Sequence, residues 1–190
     1  MRSAPTRLAE TDPEEADAAL LQAVAAGDRG AFRRLHARYH RRVLGFAIRI
    51  VQSLDLADEV ASDALMVVWK KAESFRGEAR PSTWIYGITY RTALRALRQR
   101  RRTAHHVEID DNLPAETTGP EEIERLFDRK AVAAALDALS PEQRATVQLT
   151  YFYGYRLTEI AEITGCPVGT VKTRMFHARA RLRSVLGGEA

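Results

Sequence analysis

The stretch FRGEARPSTWIYGITYRTALRALRQRRR, residues 75–102, decides how the rest of the sequence is interpreted. It opens with a loop that contains an aromatic residue and a glycine. Pro81 and Ser82 then predict the start of a helix, with Ser82 as its cap. At 100° per residue, one narrow face of this helix carries an aromatic and four arginines, namely Trp84, Arg91, Arg95, Arg98 and Arg102. A separate apolar face, able to pack on a core, carries Tyr86, Tyr90, Ala93, Leu94 and Leu97.

A helix with one packed face and one arginine face is suited to lie along a phosphate backbone, with its aromatic free to stack on a base. The alternative is a solvated charged face beside a core tryptophan, which is what most arginine-rich faces are. This helix alone leaves both interpretations open.

The distribution of charge favours a polyanionic partner. The net charge of the 190 residues is only +4, and the composition, 45% hydrophobic and 28% charged, is that of a globular protein. Arginines are concentrated in residues 29–42, 76–102 and 172–183, however, and acids in residues 10–17, 55–63 and 108–128. Basic blocks in a nearly balanced chain indicate that particular faces contact a polyanion.

A reducing, aqueous compartment fits the rest of the composition. Cys166 is the single cysteine, so no internal disulfide can form. Residues 1–16 lack the apolar segment of a signal peptide, and no apolar run approaches the ~20 residues that span a bilayer. We expect a soluble, cytoplasmic protein.

The spacing of apolar residues predicts helices throughout and no strand. Residues 1–16 are expected to be a mobile tail. Helices are predicted over residues 18–26, 31–51, 56–75 and from 83 to about 102, and these four can share one core. After a linker at 103–120, helices are predicted over 121–139, 141–153, 157–164 and 168–186, with Ser140 and Gln143 as a capping box. The predicted fold is all-α, with two small helical domains at 17–102 and 121–187 joined by a flexible linker.

The stretch LTEIAEITGCPVGTVKTRMFHARARL, residues 157–182, is typical of a helix-turn-helix. Ile160, Ala161 and Ile163 are expected to pack inward from the first helix, and Gly165 permits the sharp turn. On the second helix the inward positions are Val171, Met175, Ala178, Leu182 and Leu186. The outward positions are Lys172, Thr173, Phe176, His177, Arg179 and Arg183. An ordinary helical hairpin is the alternative, but the turn, the core spacing and the acid-free last helix favour DNA binding.

No set of residues predicts catalysis, a metal or a cofactor, so we expect the protein not to be an enzyme. His36 and His40 have the spacing of two metal ligands, but no third ligand is near in sequence and neighbouring arginines would repel a cation. Cys166 has no evident base or second thiol. His105 and His106 fall in the predicted linker. No glycine-rich loop of the phosphate-binding type is present.

Three acids early in the third predicted helix have two interpretations. Asp58, Glu59 and Asp63 can be a solvated helix start that is favoured by the helix dipole. They can also be a docking face for a basic partner. The residues alone favour the first interpretation.

Two long stretches resemble a known family. DEVASDALMVVWKKAESFRGEARPSTWIYGITYRTALRALRQRRR, residues 58–102, resembles region two of the extracytoplasmic-function sigma factors of bacterial RNA polymerase, in the sigma-70 family. ALDALSPEQRATVQLTYFYGYRLTEIAEITGCPVGTVKTRMFHARARL, residues 135–182, resembles their region four. The resemblance extends over about residues 17–186, and the joint presence of the FRG…STW…TAL and GTVKTR…AR signatures makes it specific.

The resemblance implies three functional surfaces. Region two would dock on the clamp of the polymerase β′ subunit through Asp58, Glu59, Ser62 and Asp63. Its loop and the following helix would capture an unstacked base of the downstream promoter element and hold the melted strand, through Phe75, Arg76, Arg80, Trp84, Arg91, Arg95 and Arg98. Region four would contact the β flap and recognise the upstream element through Lys172, Thr173, Arg174, Phe176, His177 and Arg179. The resemblance further implies an acidic linker in the polymerase's RNA path and control by an anti-sigma factor.

Four positions depart from the family pattern: Ser62 stands where Gln is frequent, Arg91 where Asn is frequent, His177 where Arg is common, and Thr150 where some members carry a DNA-contacting Arg. They bear on the clamp contact and on both base preferences. The predicted function is an alternative sigma factor that directs promoter-specific initiation. The alternatives are a helix-turn-helix regulator that binds duplex DNA alone, which needs a dimerisation surface, and a nucleotide-processing enzyme, which needs a carboxylate pair or metal cluster.

Overall fold

The computed structural model describes residues 13–104 and 135–186. In these two parts the chain forms seven helices, one 3₁₀ turn and a short helical stretch at 135–137, with no strand, so the all-α prediction is confirmed. The helices are α1 (Pro13–Ala25), α2 (Arg29–Val51), α3 (Leu54–Lys71, followed by the 3₁₀ turn Ala72–Ser74), α4 (Pro81–Ala104), α5 (Pro141–Tyr151), α6 (Leu157–Thr164) and α7 (Val168–Leu186). None of the described helices has the length and apolarity needed to cross a membrane.

Local capping explains where several helices begin. The Asp28 carboxylate accepts from the backbone N–H groups of Gly30 at 2.7 Å and Ala31 at 3.1 Å, and these bonds lower the pKa of Asp28. The predicted capping box of α5 is confirmed: Ser140 Oγ accepts from the Gln143 N–H at 3.2 Å, while Gln143 Oε1 accepts from the Ser140 N–H at 3.0 Å. The bounds of α6 and α7 are also as predicted.

The start of the chain differs from the prediction, because α1 begins at Pro13 rather than after a tail that reaches residue 16. Two acids anchor this extra turn. The Ser82 hydroxyl donates to Glu14 Oε1 at 2.7 Å, and buried Asp17 accepts from the Tyr39 hydroxyl at 2.6 Å and pairs with Arg38. Residues 1–12 lie outside the described residues.

Helix α4 also begins earlier than expected. It starts at Pro81, so Ser82 lies within its first turn and the prediction of Ser82 as cap was wrong. Arg80 precedes the first turn instead, and its carbonyl oxygen accepts from the Trp84 N–H at 3.1 Å. The Ser82 N–H and hydroxyl both donate to the Glu14 carboxylate, so Glu14 satisfies a backbone donor of this first turn. At the other end, α4 extends to Ala104, and most of the predicted linker and of the helix 121–139 lies outside the described residues.

One hydrophobic core belongs to helices α1–α4, as predicted. Its fully buried members include Leu21, Leu35, Val43, Leu65 and Ile85. These residues come from all four helices, which therefore form one bundle.

A second core joins this bundle, residues 13–104, to residues 135–186. We call these two ranges the first half and the second half. Buried residues of α2, α3 and α4 pack in one cluster with buried residues of α5, α6 and α7, among them Phe46, Ile50, Tyr86, Tyr90, Leu149, Ile160, Ile163 and Val171. The chain after α5 contributes two rings, since Tyr153 lies 5.0 Å and Tyr155 5.9 Å from Tyr86 between ring centroids. Burial raises the pKa of Tyr155 to about 12. We call this arrangement the closed packing of the two halves.

Two polar side chains of α5 are buried with atoms that lack a hydrogen-bond partner. Arg144 is 6% exposed and Gln148 is fully buried. Among the described residues, Arg144 Nε and both amide atoms of Gln148 find no hydrogen-bond partner. Burial lowers the pKa of Arg144, the Asp137 and Glu142 carboxylates oppose this effect, and Arg101 at the end of α4 adds a smaller repulsion. Each of the three unpaired atoms carries a cost of desolvation.

Candidate nucleic-acid interface

The helix-turn-helix is held together by the residues that the sequence predicted. Ile160 and Ile163 of α6 and Val171 and Ala178 of α7 are fully buried. Gly165 ends α6 with φ of 65°, in the left-handed region where a glycine costs least. The turn at Gly165 determines the direction in which α7 leaves α6.

The outer face of α7 is basic and open. Five of the six residues predicted to recognise the upstream element are exposed, namely Lys172, Thr173, Phe176, His177 and Arg179. Phe176 is 71% exposed, so it places a large apolar side chain beside these cations. The face can therefore offer both cations and an apolar contact to a groove.

Arg174 is the exception among the six. It is half-buried and turns toward the first half, with Nη1 3.4 Å from Cys166 Sγ. Burial raises the pKa of Tyr90, and the nearby Arg174 guanidinium opposes that rise. In the closed packing Arg174 therefore does not share the open face of α7.

Tyr151 is a further candidate that sequence reasoning missed. Its side chain is 58% exposed at the end of α5, and its hydroxyl accepts a hydrogen bond from Arg179 Nε at 3.0 Å. The Arg179 guanidinium also lies 5.8 Å from the Tyr151 ring centroid. The sequence could indicate that Tyr151 follows the last inward position of its helix. It could not indicate the contact with Arg179, which lies 28 residues away.

The loop before α4 places two aromatic residues together. The rings of Phe75 and Trp84 are 5.5 Å apart, both half-buried against the four-helix core. Arg76 and Arg80 are exposed beside them. Arg80 forms an ion pair of 3.4 Å with Glu159 of α6, so part of the predicted downstream site contacts the second half.

The arginines of α4 are exposed on one side of the helix, as predicted, at Arg91, Arg95 and Arg98. Arg91 folds back over Gly87: a Cβ at Gly87 would lie 3.3 Å from Arg91 Nη1 and 3.4 Å from the Ile163 carbonyl oxygen. The absence of a side chain at Gly87 thus lets the end of α6 approach α4 closely. Together with Trp84, these three arginines line one cleft, which Arg76 and Arg80 do not reach.

The predicted docking face is exposed in full. Asp58, Glu59, Ser62 and Asp63 all point to solvent from α3. The ion pairs found within the described ranges are Arg38–Asp17 and Arg80–Glu159. None of the three carboxylates therefore has a cation within ion-pair distance there. The acids are therefore available to a basic partner.

The two histidines of α2 stack on each other, with ring centroids 5.0 Å apart. Burial, and secondarily the His40 ring, lowers the pKa of His36. In the part of the chain that the structure describes, no three His, Cys, Asp or Glu side chains are arranged to hold a metal ion.

Comparisons with known proteins bear on these surfaces. The family model "Sigma-70 region 2" matches residues 35–103, and "Sigma-70, region 4" matches residues 129–182. The ECF RNA polymerase sigma factor SigM of Mycobacterium tuberculosis (strain ATCC 25618 / H37Rv) is 38% identical over 176 residues, which cover 92% of this chain and 86% of that protein. The ECF RNA polymerase sigma-E factor of Escherichia coli (strain K12) is 33% identical, covering 86% of this chain and 90% of that protein.

Two solved structures share the fold. CnrH, in its complex with the cytosolic domain of CnrY, aligns with a TM-score of 0.67 over 92% of this chain and 99% of that one, at 24% identity. The sigma factor RpoE of Bartonella quintana, in its complex with the anti-sigma factor NepR, aligns with a TM-score of 0.66 over 84% of this chain and 98% of that one, at 27% identity. With region two and region four both present, in order and over nearly the full length of the relatives, the chain belongs to the ECF sigma factors of bacterial RNA polymerase, the family that its motifs resembled.

Proposed function

We propose that this sigma factor works in the cytoplasm by binding and positioning alone, with no catalytic chemistry of its own. It brings core RNA polymerase to its promoters and holds the opened strand. The observation that carries the proposal is the open basic face of α7 on a helix-turn-helix whose inward residues Ile160, Ile163, Val171 and Ala178 are fully buried. Surfaces of this composition bind DNA, whose phosphates supply most of the affinity.

In this proposal the outer face of α7 recognises the upstream element. Lys172 and Arg179 contact phosphates, while Thr173, Phe176 and His177 contact base edges in the major groove. Arg174 joins them only when the second half leaves the first.

The loop and helix α4 hold the melted downstream strand. Extruding a base from a duplex costs a few kcal/mol, and stacking on an aromatic side chain returns about 1–3 kcal/mol. The Phe75–Trp84 pair is the stacking surface available. The cations around it, which pair with the strand's phosphates, are Arg76, Arg80, Arg91, Arg95 and Arg98.

The acidic face of α3 docks on the polymerase. Asp58, Glu59 and Asp63 are exposed and unpaired within the described ranges, and Ser62 lies among them. We propose the β′ clamp as the partner of this face, and the β flap as the partner of region four. The acidic segment between the halves follows the RNA path.

The closed packing supports the proposal that the halves separate on the polymerase. Glu159 competes with a phosphate for Arg80, and Arg174 faces Tyr90 and lies away from the open face of α7. We therefore propose that residues 17–102 and 121–187 act as separate domains in the active complex. An anti-sigma factor, the class of partner bound to the related RpoE, would control this step.

The decisive experiment is run-off transcription of genomic fragments by core polymerase with and without this chain. We expect new transcripts that are lost when Lys172 and Arg179 are both replaced by Ala. Arg33→Ala, which removes an exposed arginine on α2, is the matched control. A stand-alone DNA-binding regulator would instead footprint a duplex without the polymerase and start no transcript.

Docking is tested separately by co-purification. Replacing Asp58 and Glu59 with Ala should weaken recovery of core polymerase and leave free DNA binding by region four unchanged. Full recovery of polymerase by this double variant would reject the proposed role of the acidic face.

A further inference from the structure

A cleft of about 730 Å³ lies between α4 and the turn that joins α6 to α7. Cationic side chains reach it from both halves: Lys71, Arg91, Arg95, Arg98 and Arg174. Glu142 is the one carboxylate among its described lining residues. An excess of cations in a partly enclosed, apolar space focuses a positive potential.

These cations are not neutralised within the described parts of the chain. The ion pairs found there involve Arg38 and Arg80, neither of which lines the cleft. Arg174 instead directs Nη1 at the Cys166 sulfur, a weak acceptor. The closed packing adds Arg174 to the four cations of α3 and α4. Like charges repel one another, and a bound anion would reduce that repulsion.

The floor of the cleft is apolar. Val67, Ile88 and Leu94 line it, together with the half-buried Trp84 ring. Its volume lies within the roughly 300–1,000 Å³ of pockets that hold small molecules. A ligand that matches both parts has a flat aromatic ring for the floor and several negative charges for the arginines.

We propose that this cleft binds a nucleoside triphosphate, with the base against Trp84 and the phosphates between the arginines of α4 and Arg174 of α7. Arginine is suited to this because its planar fork binds phosphate oxygens in pairs. Gly165 and Cys166 wall one side of the cleft, which favours a single nucleotide over a continuous strand. Since the ligand contacts both halves, its binding stabilises the closed packing. The proposal rests on that packing and not on promoter recognition.

Tryptophan fluorescence of the full chain tests this directly. The chain has two tryptophans, and Trp69 contacts Phe32 on another face, so a Trp69→Phe background leaves Trp84 as the reporter. We expect saturable changes in emission with ATP or GTP. Arg98→Ala and Arg174→Ala should each weaken binding about tenfold, the usual effect of losing one charge-assisted contact. Arg33→Ala should leave it unchanged, and Arg174→Lys, which keeps the charge and loses the fork, should weaken binding less than Arg174→Ala.

Additional binding measurements distinguish between the possible ligands. Far-UV circular dichroism must first show that each variant is folded. Inorganic triphosphate should bind more weakly than GTP, because it lacks the ring, and equal affinity would overturn the nucleoside assignment. Absence of saturation at millimolar GTP, or an Arg174→Ala variant with unchanged affinity, would overturn the site between the halves. Quenching by a single-stranded oligonucleotide that GTP does not compete with would show that the cleft takes a strand instead.

Discussion

Replacing Tyr153 with Ala should open the closed packing without unfolding either half. Tyr153 follows α5 and inserts its ring into the first half, 5.8 Å from Phe46 and 5.0 Å from Tyr86 between centroids. Its hydroxyl donates to the Arg42 carbonyl oxygen at 3.4 Å, a long bond that contributes little. The ring contacts should therefore account for most of the effect.

The expected magnitude follows from those two ring pairs. Each aromatic pair contributes about 0.5–1.5 kcal/mol beyond the area that it buries. The loss of these two pairs alone should shift the equilibrium toward the open form by about 1–3 kcal/mol, or roughly 5- to 150-fold, and the apolar area lost with the ring adds to this shift. Tyr153→Phe keeps both rings and should stay within a few tenths of a kcal/mol of the original, as is usual when only a weak contact is removed.

Energy transfer between dyes on the two halves measures this equilibrium. Exposed Gln22 and Ser184 can be replaced by Cys for labelling in a Cys166→Ser background. The urea concentration at which transfer falls by half should decrease in Tyr153→Ala, while the loss of helix by circular dichroism should occur at a higher concentration. Tyr151→Ala, which removes a 58% exposed ring next to the same loop, is the matched control. If Tyr153→Ala and Tyr151→Ala lose transfer at the same urea concentration, the aromatic contact does not hold the halves together.

Three further outcomes are expected. Asp17→Asn should lower the free energy of unfolding by about 1.5–3 kcal/mol in urea titrations, because it weakens charge-assisted bonds from Arg38 and the buried Tyr39 hydroxyl; a change under 0.5 kcal/mol would contradict this anchor of α1. The pKa of His36 is lowered in the fold from its ordinary 6.5, so protonation favours the unfolded chain. Stability should therefore fall as the pH drops below about 6.5, and His36→Gln should flatten the dependence of the urea midpoint between pH 7.5 and 5.5; an equally steep curve would rule out His36 as its source. Tyr151→Phe should weaken an upstream-element duplex roughly two- to tenfold in anisotropy titrations, because Arg179 loses the hydroxyl that orients it; the salt dependence should stay unchanged, whereas Arg179→Ala should reduce the slope by about 1.

Features encoded over short distances in the sequence were predictable. The inward and outward positions of α6 and α7 follow from a 3.6-residue period, and Gly165 marks the turn between them. The predicted inward residues with described burial are buried, except Ala161 and Leu182, which are half-buried, and the predicted outward residues are exposed. The capping box at Ser140 needs only a partner three residues away. In these cases the local pattern already contains the physical cause.

Features that depend on distant contacts were not predictable. Ser82 is a residue type that often caps helices, but here its hydroxyl donates to the carboxylate of Glu14, 68 residues earlier. Arg174 lies two residues after Lys172 in the same basic stretch. It is nevertheless half-buried and faces Tyr90 of the first half, away from the open face of α7. The closed packing itself is not visible in any single helix, because Tyr86 and Tyr153 are each consistent with an ordinary core until their contact is known.

Arg144 and Gln148 bear on how readily the two halves come apart. Each buried polar atom that lacks a partner costs about 1–3 kcal/mol, and water would satisfy these atoms once α5 is uncovered. Hydration of these atoms offsets part of the free energy needed to expose the apolar contacts. The two halves are therefore held together less strongly than the buried apolar area alone would suggest. Leu or Met at these two positions would remove the cost, and we expect such a double variant to hold the two halves together more tightly than the polar pair does.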